Sequence, residues 1–360
     1  MATTRTESPL YPMLFEDNLH EVVWGGHRLQ PWKGSIAKDN EGQCAPIGES
    51  WEVSAVKSSP SIVANGMWKG MSLPEVISRM PNQILGGSVA RRYNGRLPLL
   101  VKFIDADKDL SIQVHPDDAM AQREHGKMGK TEMWYVIDAK PGAHLYAGFK
   151  EELTAEEYAS HVADGTIVDY LARHDVQAGD VFYLPAGRVH AICSGLLLAE
   201  VQQSSDVTYR IFDYNRPGLD GKPRQLHTEL AAKALDYTVY EEYRTDYKDH
   251  RDSANRCIDS EFFSVRVVDI NSTFHRNLKK YSSFVISMCI SGYCRIRIRE
   301  TGDEILLQEG HSCLIPAAIA DYDVIPVDSE EKVQLLDAYI DNRDRSIIGR
   351  MSRILHLRSK

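Results

Sequence analysis

The chain has 360 residues, 43% of them hydrophobic and 26% charged, with a formal charge of −9 at pH 7. Its length suggests two domains, and its acidic balance argues against general affinity for nucleic acid or anionic membranes, while a few local Lys or Arg could still hold a small anion. Met1–Pro9 is polar, unlike a secretory signal, and no apolar run approaches the roughly 20 residues that span a bilayer, so a cytoplasmic protein is expected.

In chain order, short β-patterned runs outnumber helical ones. Turns are expected at Trp24-Gly25-Gly26 and Ile47-Gly48-Glu49. The first helix should run from Ser72 to Met80, with Ser72 as cap and Pro74 in the opening turn. Leu97 to Ile104 then reads as an apolar strand, as do Met133 to Ile137 and Val181 to Leu184. Between the last two, Leu153 to Leu171 reads as helical, opened by a Thr154/Glu157 capping box. The six cysteines (Cys44, Cys193, Cys257, Cys289, Cys294, Cys313) include no CxxC pair and are expected to be reduced thiols.

An internal repeat organises the rest. Gln177 to Gly187 aligns without gaps on Gln308 to Ala318, each reading as turn, apolar strand and Pro-containing turn. Each is preceded by an apolar strand that ends at a glycine, Gly142 or Gly292. Two copies of one β-barrel unit are therefore expected, the second over roughly Glu261 to Asn342. The predicted architecture is mainly β, with two barrels and a few short helices. Residues 1–260 would form the metal-binding part, with helical additions, and residues 261–360 a part without metal.

The spacing Gly179-x5-Pro185-x-Gly187-x2-His190 matches the second cupin motif. Glycine and proline close a tight turn, and His190 then starts a strand that can aim its imidazole inward. Where the first cupin motif carries paired histidines, this chain has Gln113-Val114-His115. Residues two apart in a strand share a face, so both side chains project into one cavity. Glu132 opens the next strand 17 residues later. Singly, each histidine reads as an ordinary core or surface residue; together with a carboxylate they read as ligands. Two His, one Glu and one Gln oxygen suit zinc with an open coordination position, and iron, manganese or cobalt could use the same set. In the second copy Asp321 stands for His190 and Ser282 falls opposite Glu132, so one site is expected.

The octapeptide Leu110-Ser111-Ile112-Gln113-Val114-His115-Pro116-Asp117 closely resembles the type I mannose-6-phosphate isomerases, which have cupin-type jelly-roll barrels. The resemblance continues through Lys130-Thr131-Glu132-Met133, Leu184 to His190 and Glu200 to Tyr214, and reaches upstream to Trp24-Gly25-Gly26 and Gly48 to Ser54. It implies one zinc held by Gln113, His115, Glu132 and His190. It also implies a basic active-site residue at Arg210, an acidic partner at Glu200, and further pocket residues at Lys102, Ser111 and Lys130. The reaction implied is aldose–ketose interconversion of mannose 6-phosphate and fructose 6-phosphate through an enediol, with Glu200 or a zinc-bound water as base.

Two departures matter. Only 58 positions separate Glu132 from His190, as in short bacterial forms that lack a helical insertion. Gly129 stands where long forms often carry a histidine. A metal-dependent cupin oxygenase and a non-catalytic sugar-binding cupin are the competing readings; iron content with oxygen uptake would mark the first, and absence of turnover the second. Monomer and homodimer both stay open.

Overall fold

The computed structural model describes residues 10–34, 44–328 and 330–342. The polar Met1–Pro9 stretch lies outside them. Residues 17–56 and 99–246 form one compact unit; residues 1–16, 57–98 and 247–360 form another. The 57–98 segment belongs with the later sheets because the Phe284 and Ala317 N–H groups donate to the Leu85 and Ile84 carbonyls. The architecture is mainly β, and every strand pairing is antiparallel. The expected barrels take the form of two separate strand ladders in each unit, with no closed ring of strands among the described residues.

In the first unit the larger sheet orders its strands Leu19–Gly26, Ile47–Val53, Leu99–Ala106, Leu196–Gln203, Glu132–Ala139 and Val181–Leu184. The smaller runs Tyr209–Phe212, Ile112–Val114, His190–Ile192, His144–Phe149 and Leu171–Asp175. Strand residues alternate faces, and cross-strand partners share one. A single apolar cluster takes Ile104, Trp134, Phe182 and Leu198 from one sheet and Leu145, Ala147 and Ile192 from the other. The two sheets therefore face each other across it.

The other face of the smaller sheet is also apolar and is covered by helices Ala155–Ala163 and Thr228–Ala234. This is why Ile112–Val114 and its neighbours do not read as half-polar strands. The expected Leu153–Leu171 helix is shorter than its pattern. Its capping box forms, with the Glu157 carboxylate accepting from the Thr154 N–H 2.8 Å away. The helix then ends before Gly165, whose φ of 74° is left-handed. A 3-10 turn at Ile167–Tyr170 leads straight into a strand. The earlier helix holds over Leu73–Arg79, where the Glu75 carboxylate accepts from the Ser72 N–H and hydroxyl.

The second unit repeats the central strands of this pattern in a six-stranded and a four-stranded sheet. Val181–Leu184 pairs with the strand opened by Glu132, and Ser312–Ile315 pairs with Val285–Ser291. Register corrects one sequence equivalence. Leu184 lies opposite Glu132, and its counterpart Ile315 lies opposite Val285, so Val285 holds the Glu132 position. Ser282 instead ends a 3-10 turn with φ 49°. Asp321 does open the strand equivalent to that of His190, and its cross-strand partner is Asn277, where the first unit pairs His190 with Gln113. An apolar side chain at the Glu132 position removes the central ligand from this copy.

Candidate metal centre and active site

The apolar cluster fills only part of the space between the two sheets; the rest is a cavity of about 210 Å³ lined by charged groups. On the smaller sheet Arg210, Gln113 and His190 are successive cross-strand partners and so share a face. On the larger sheet Trp134, Glu200, Lys102 and Trp51 form a second such row, with Glu132 two residues before Trp134 on the same side. Antiparallel register thus converts scattered positions into two opposed polar rows.

His115, Glu132 and His190 converge within 4.8 Å at the buried end, the only such group of potential ligands among the described residues. Glu132 is fully buried and faces both rings, with His115 Nε2 3.4 Å from one oxygen and His190 Nε2 3.3 Å from the other. The outer ring nitrogens are taken: His115 Nδ1 donates to the Val207 carbonyl at 3.0 Å, and His190 Nδ1 to that of Arg188 at 2.9 Å. These bonds select the tautomer that turns a lone pair on each Nε2 inward. The Gln113 side-chain amide lies 3.3 Å from His190 Nε2. Exchanging its nearly isosteric oxygen and nitrogen turns a carbonyl oxygen toward the same point.

The donor set fits a divalent cation. His115 Nε2 and Glu132 Oε1 are buried without a hydrogen-bond partner, and Glu132 Oε2 meets the Lys130 ammonium at 3.1 Å, an expensive arrangement unless a further cation completes it. Burial, then the Lys130 ammonium, pushes the His115 pKa down to about 3, and burial likewise lowers His190, so both rings are neutral and can bind metal. Burial alone would raise Glu132, but the Lys130 ammonium, 3.1 Å away, leads the influences that outweigh it and keep the group ionised. Four candidate donors from two facing sheets, with no thiolate, have the composition of an open site rather than of a closed structural one.

Lys130 is presented by a pinned loop. Its N–H donates to the Pro116 carbonyl, Thr131 N–H donates to Gln203 Oε1 at 2.8 Å, and Ser205 Oγ donates to the Met128 carbonyl. Gly129 has no room for a side chain, since a Cβ there would lie 2.5 Å from the backbone of Asp117 and Asp118.

Glu200 lies beyond the ligands. Trp134 Nε1 donates to its Oε2 at 3.0 Å, Lys102 stands 3.5 Å from Oε1, and Oε1 has no hydrogen-bond partner. Burial and then the Glu132 charge raise its pKa. The corresponding carboxylate of the second unit, Asp337, is saturated instead: Ser287 and Arg276 each donate to it at 2.6 Å. Lys102 is shared with Glu49 at 3.2 Å and lies over the Trp51 ring; burial opposes its charge, but the two carboxylates raise its pKa above the ordinary range. Arg210 is half-buried, with Nε donating to Ser111 Oγ at 3.3 Å and a terminal nitrogen to the Gln225 carbonyl at 2.9 Å.

Every residue singled out from the sequence therefore lies in or beside this one cavity: the four candidate ligands, Lys130, Glu200, Lys102, Ser111 and Arg210. The sequence reading missed Glu49, Trp51 and Arg224, which also line it. Glu49 and Trp51 were visible as alternate residues of one strand. Arg224, on a loop, carried no periodic signal.

Residues 13–151 match the model for the phosphomannose isomerase type I catalytic domain, and residues 254–325 that for the mannose-6-phosphate isomerase cupin domain. The chain is 34% identical over 308 residues to the mannose-6-phosphate isomerase ManA of Bacillus subtilis, covering 83% of this chain and 93% of that protein. It is 38% identical over 224 residues to the mannose-6-phosphate isomerase of Streptococcus mutans, 62% of this chain and 67% of the relative. A crystal structure of the Bacillus subtilis mannose 6-phosphate isomerase superposes with a TM-score of 0.81 at 32% identity, covering 91% of this chain and 99% of the other.

Proposed function

Because the chain belongs to the type I mannose-6-phosphate isomerase family, we propose that this cavity interconverts mannose 6-phosphate and fructose 6-phosphate, with zinc held by Gln113, His115, Glu132 and His190. The observation that carries the reading is the buried convergence of His115, His190 and a Glu132 with an unpartnered Oε1, beside a second buried carboxylate, Glu200. A divalent ion held by these residues supplies Lewis-acid polarisation of the substrate's carbonyl and adjacent hydroxyl.

Glu200 is the base. Its open Oε1 takes the proton from carbon 2 of the aldose and returns it to carbon 1 of the enediol, while the hydroxyl proton on oxygen 2 passes to oxygen 1, which leaves the carbonyl on carbon 2 and gives the ketose. A carboxyl raised by burial and by Glu132 holds that proton better between the two transfers than an exposed one. Trp134 and Lys102 fix its orientation. Lys130 and Ser111 donate to the sugar oxygens, and Arg210, one strand from Gln113, stabilises the negative charge developing at the reacting end. Trp24 and Trp51, which line the cavity, supply apolar walls that limit water access to the enediol.

A coupled assay of the purified protein on mannose 6-phosphate tests the reading, before and after chelation and after zinc is restored. Turnover should vanish with the metal and return with zinc. Full turnover of protein that elemental analysis finds metal-free, or no turnover with zinc present, would overturn it.

A further inference from the structure

Two guanidinium groups, of Arg210 and Arg224, line the cavity, and that of Arg216 stands beside them. Arg210 lies on the strand beside the ligands; Arg216 and Arg224 come from the loop that follows it. One buried carboxylate organises the loop pair. Asp213 accepts a fork from Arg224, at 2.7 Å from Nε and 2.6 Å from a terminal nitrogen, and also accepts from Arg216 Nε at 3.1 Å. The backbone bends to allow this through two successive left-handed residues, Tyr214 (φ 56°) and Asn215 (φ 52°), and a Pro217–Pro223 bridge closes the loop. Non-glycine residues seldom hold that conformation without tertiary support.

A structural tie would explain the fork but not the charge balance. Three guanidinium groups around one carboxylate leave a local excess of two positive charges beside a cavity. Of the acidic groups that line the cavity, Asp206 is already paired with Lys127 at 2.6 Å, and Glu49 and Glu200 with Lys102 at 3.2 and 3.5 Å. Arg210 is lowered first by burial and next by Arg224, so the two cations repel each other across the cavity. A phosphate monoester near neutral pH carries about −1.5 to −2 charges and three acceptor oxygens, the complement of this arrangement.

We propose that Arg224, fixed by its fork to Asp213, is a substrate-binding residue that grips the phosphate of the sugar phosphate, leaving Arg210 for the reacting end. This rests on the reading that the cavity takes a sugar phosphate with its carbonyl end at the ligands. Asp213 acts as a positioning residue, holding the Arg224 guanidinium before substrate arrives and so reducing the ordering cost of binding.

The test uses the zinc-loaded full chain, with mannose 6-phosphate as substrate, inorganic phosphate as competitive inhibitor and an uncharged sugar alcohol as control ligand. Arg224→Gln should raise KM and the inhibition constant for phosphate together by about tenfold or more, the loss expected for a charge-assisted hydrogen bond. Its kcat should change by less than about threefold, and sugar-alcohol inhibition should not move. Arg224→Lys, which keeps the charge and guards against a folding defect, should fall between the wild type and Arg224→Gln. If phosphate competes in the wild type and Arg224→Gln leaves its constant unchanged, the phosphate is held elsewhere and only the Arg224 inference is lost. If phosphate does not compete in the wild type at all, the underlying reading of the cavity fails with it.

Discussion

Replacing Arg210 by lysine separates charge from geometry at the reacting end. The guanidinium is aligned by Ser111 Oγ at 3.3 Å and the Gln225 carbonyl at 2.9 Å, and its strand register sets it beside Gln113. Lysine keeps the positive charge but loses the planar fork, so it cannot satisfy these two anchors and still point a donor at substrate. Losing one preorganised charged donor in such a site costs about 3 kcal/mol of transition-state stabilisation, or roughly a 100-fold fall in kcat. Folding should suffer little, because the side chain is only half-buried and the Gln225 carbonyl it releases stays within reach of water. The assay is coupled turnover of mannose 6-phosphate, with metal content measured on the same sample. Arg210→Lys should lower kcat about 100-fold at unchanged metal occupancy, with KM moving much less. Unchanged kcat and KM in both Arg210→Lys and Arg210→Ala would refute the placement of Arg210 at the chemistry.

Three further outcomes follow from the site. His115→Ala and His190→Ala should each abolish metal binding and turnover while the second unit, whose sheets carry no ligand group among the described residues, keeps its β signature in circular dichroism; full occupancy in both variants would remove the ligand assignment. Asp321→Ala should leave metal content and turnover unchanged, since its strand counterpart of Glu132 is the apolar Val285; metal loss would mean a second site. In metal-free protein the folded His115 pKa of about 3 lies below its ordinary 6.5, so only the unfolded chain takes up a proton in that window. Its stabilising effect is complete above 6.5 and is lost as pH falls toward 3, by up to about 1.4 kcal/mol per pH unit. Urea midpoints measured across that window should slope less in His115→Gln, and an identical slope would contradict the burial argument.

Local patterns in the sequence carried the candidate ligands and much of the β architecture. The Gly179 to His190 spacing builds a turn that starts a strand at His190, and the Gln113/His115 pair needs only the two-residue period of a strand. The repeat at Gln177 and Gln308 likewise predicted two matching strands, found at Val181–Leu184 and Ser312–Ile315. Tertiary structure decided what depends on partners far along the chain. Ser282 seemed to match Glu132 by position, but antiparallel register gives that role to Val285, because pairing is fixed by which side chains must be buried rather than by counting residues. The Leu153–Leu171 helix stopped short because Gly165 terminates it and the smaller sheet recruits Leu171–Asp175 as an edge strand. Glu49 met Lys102 and Arg224 met Asp213 only through folding, as no periodicity links a loop arginine to a cavity. Sequence thus determined which atoms could bind a metal. The long-range register of two facing sheets determined which charges surround it, because electrostatic neighbours are set by distance in space, over which sequence separation has no say.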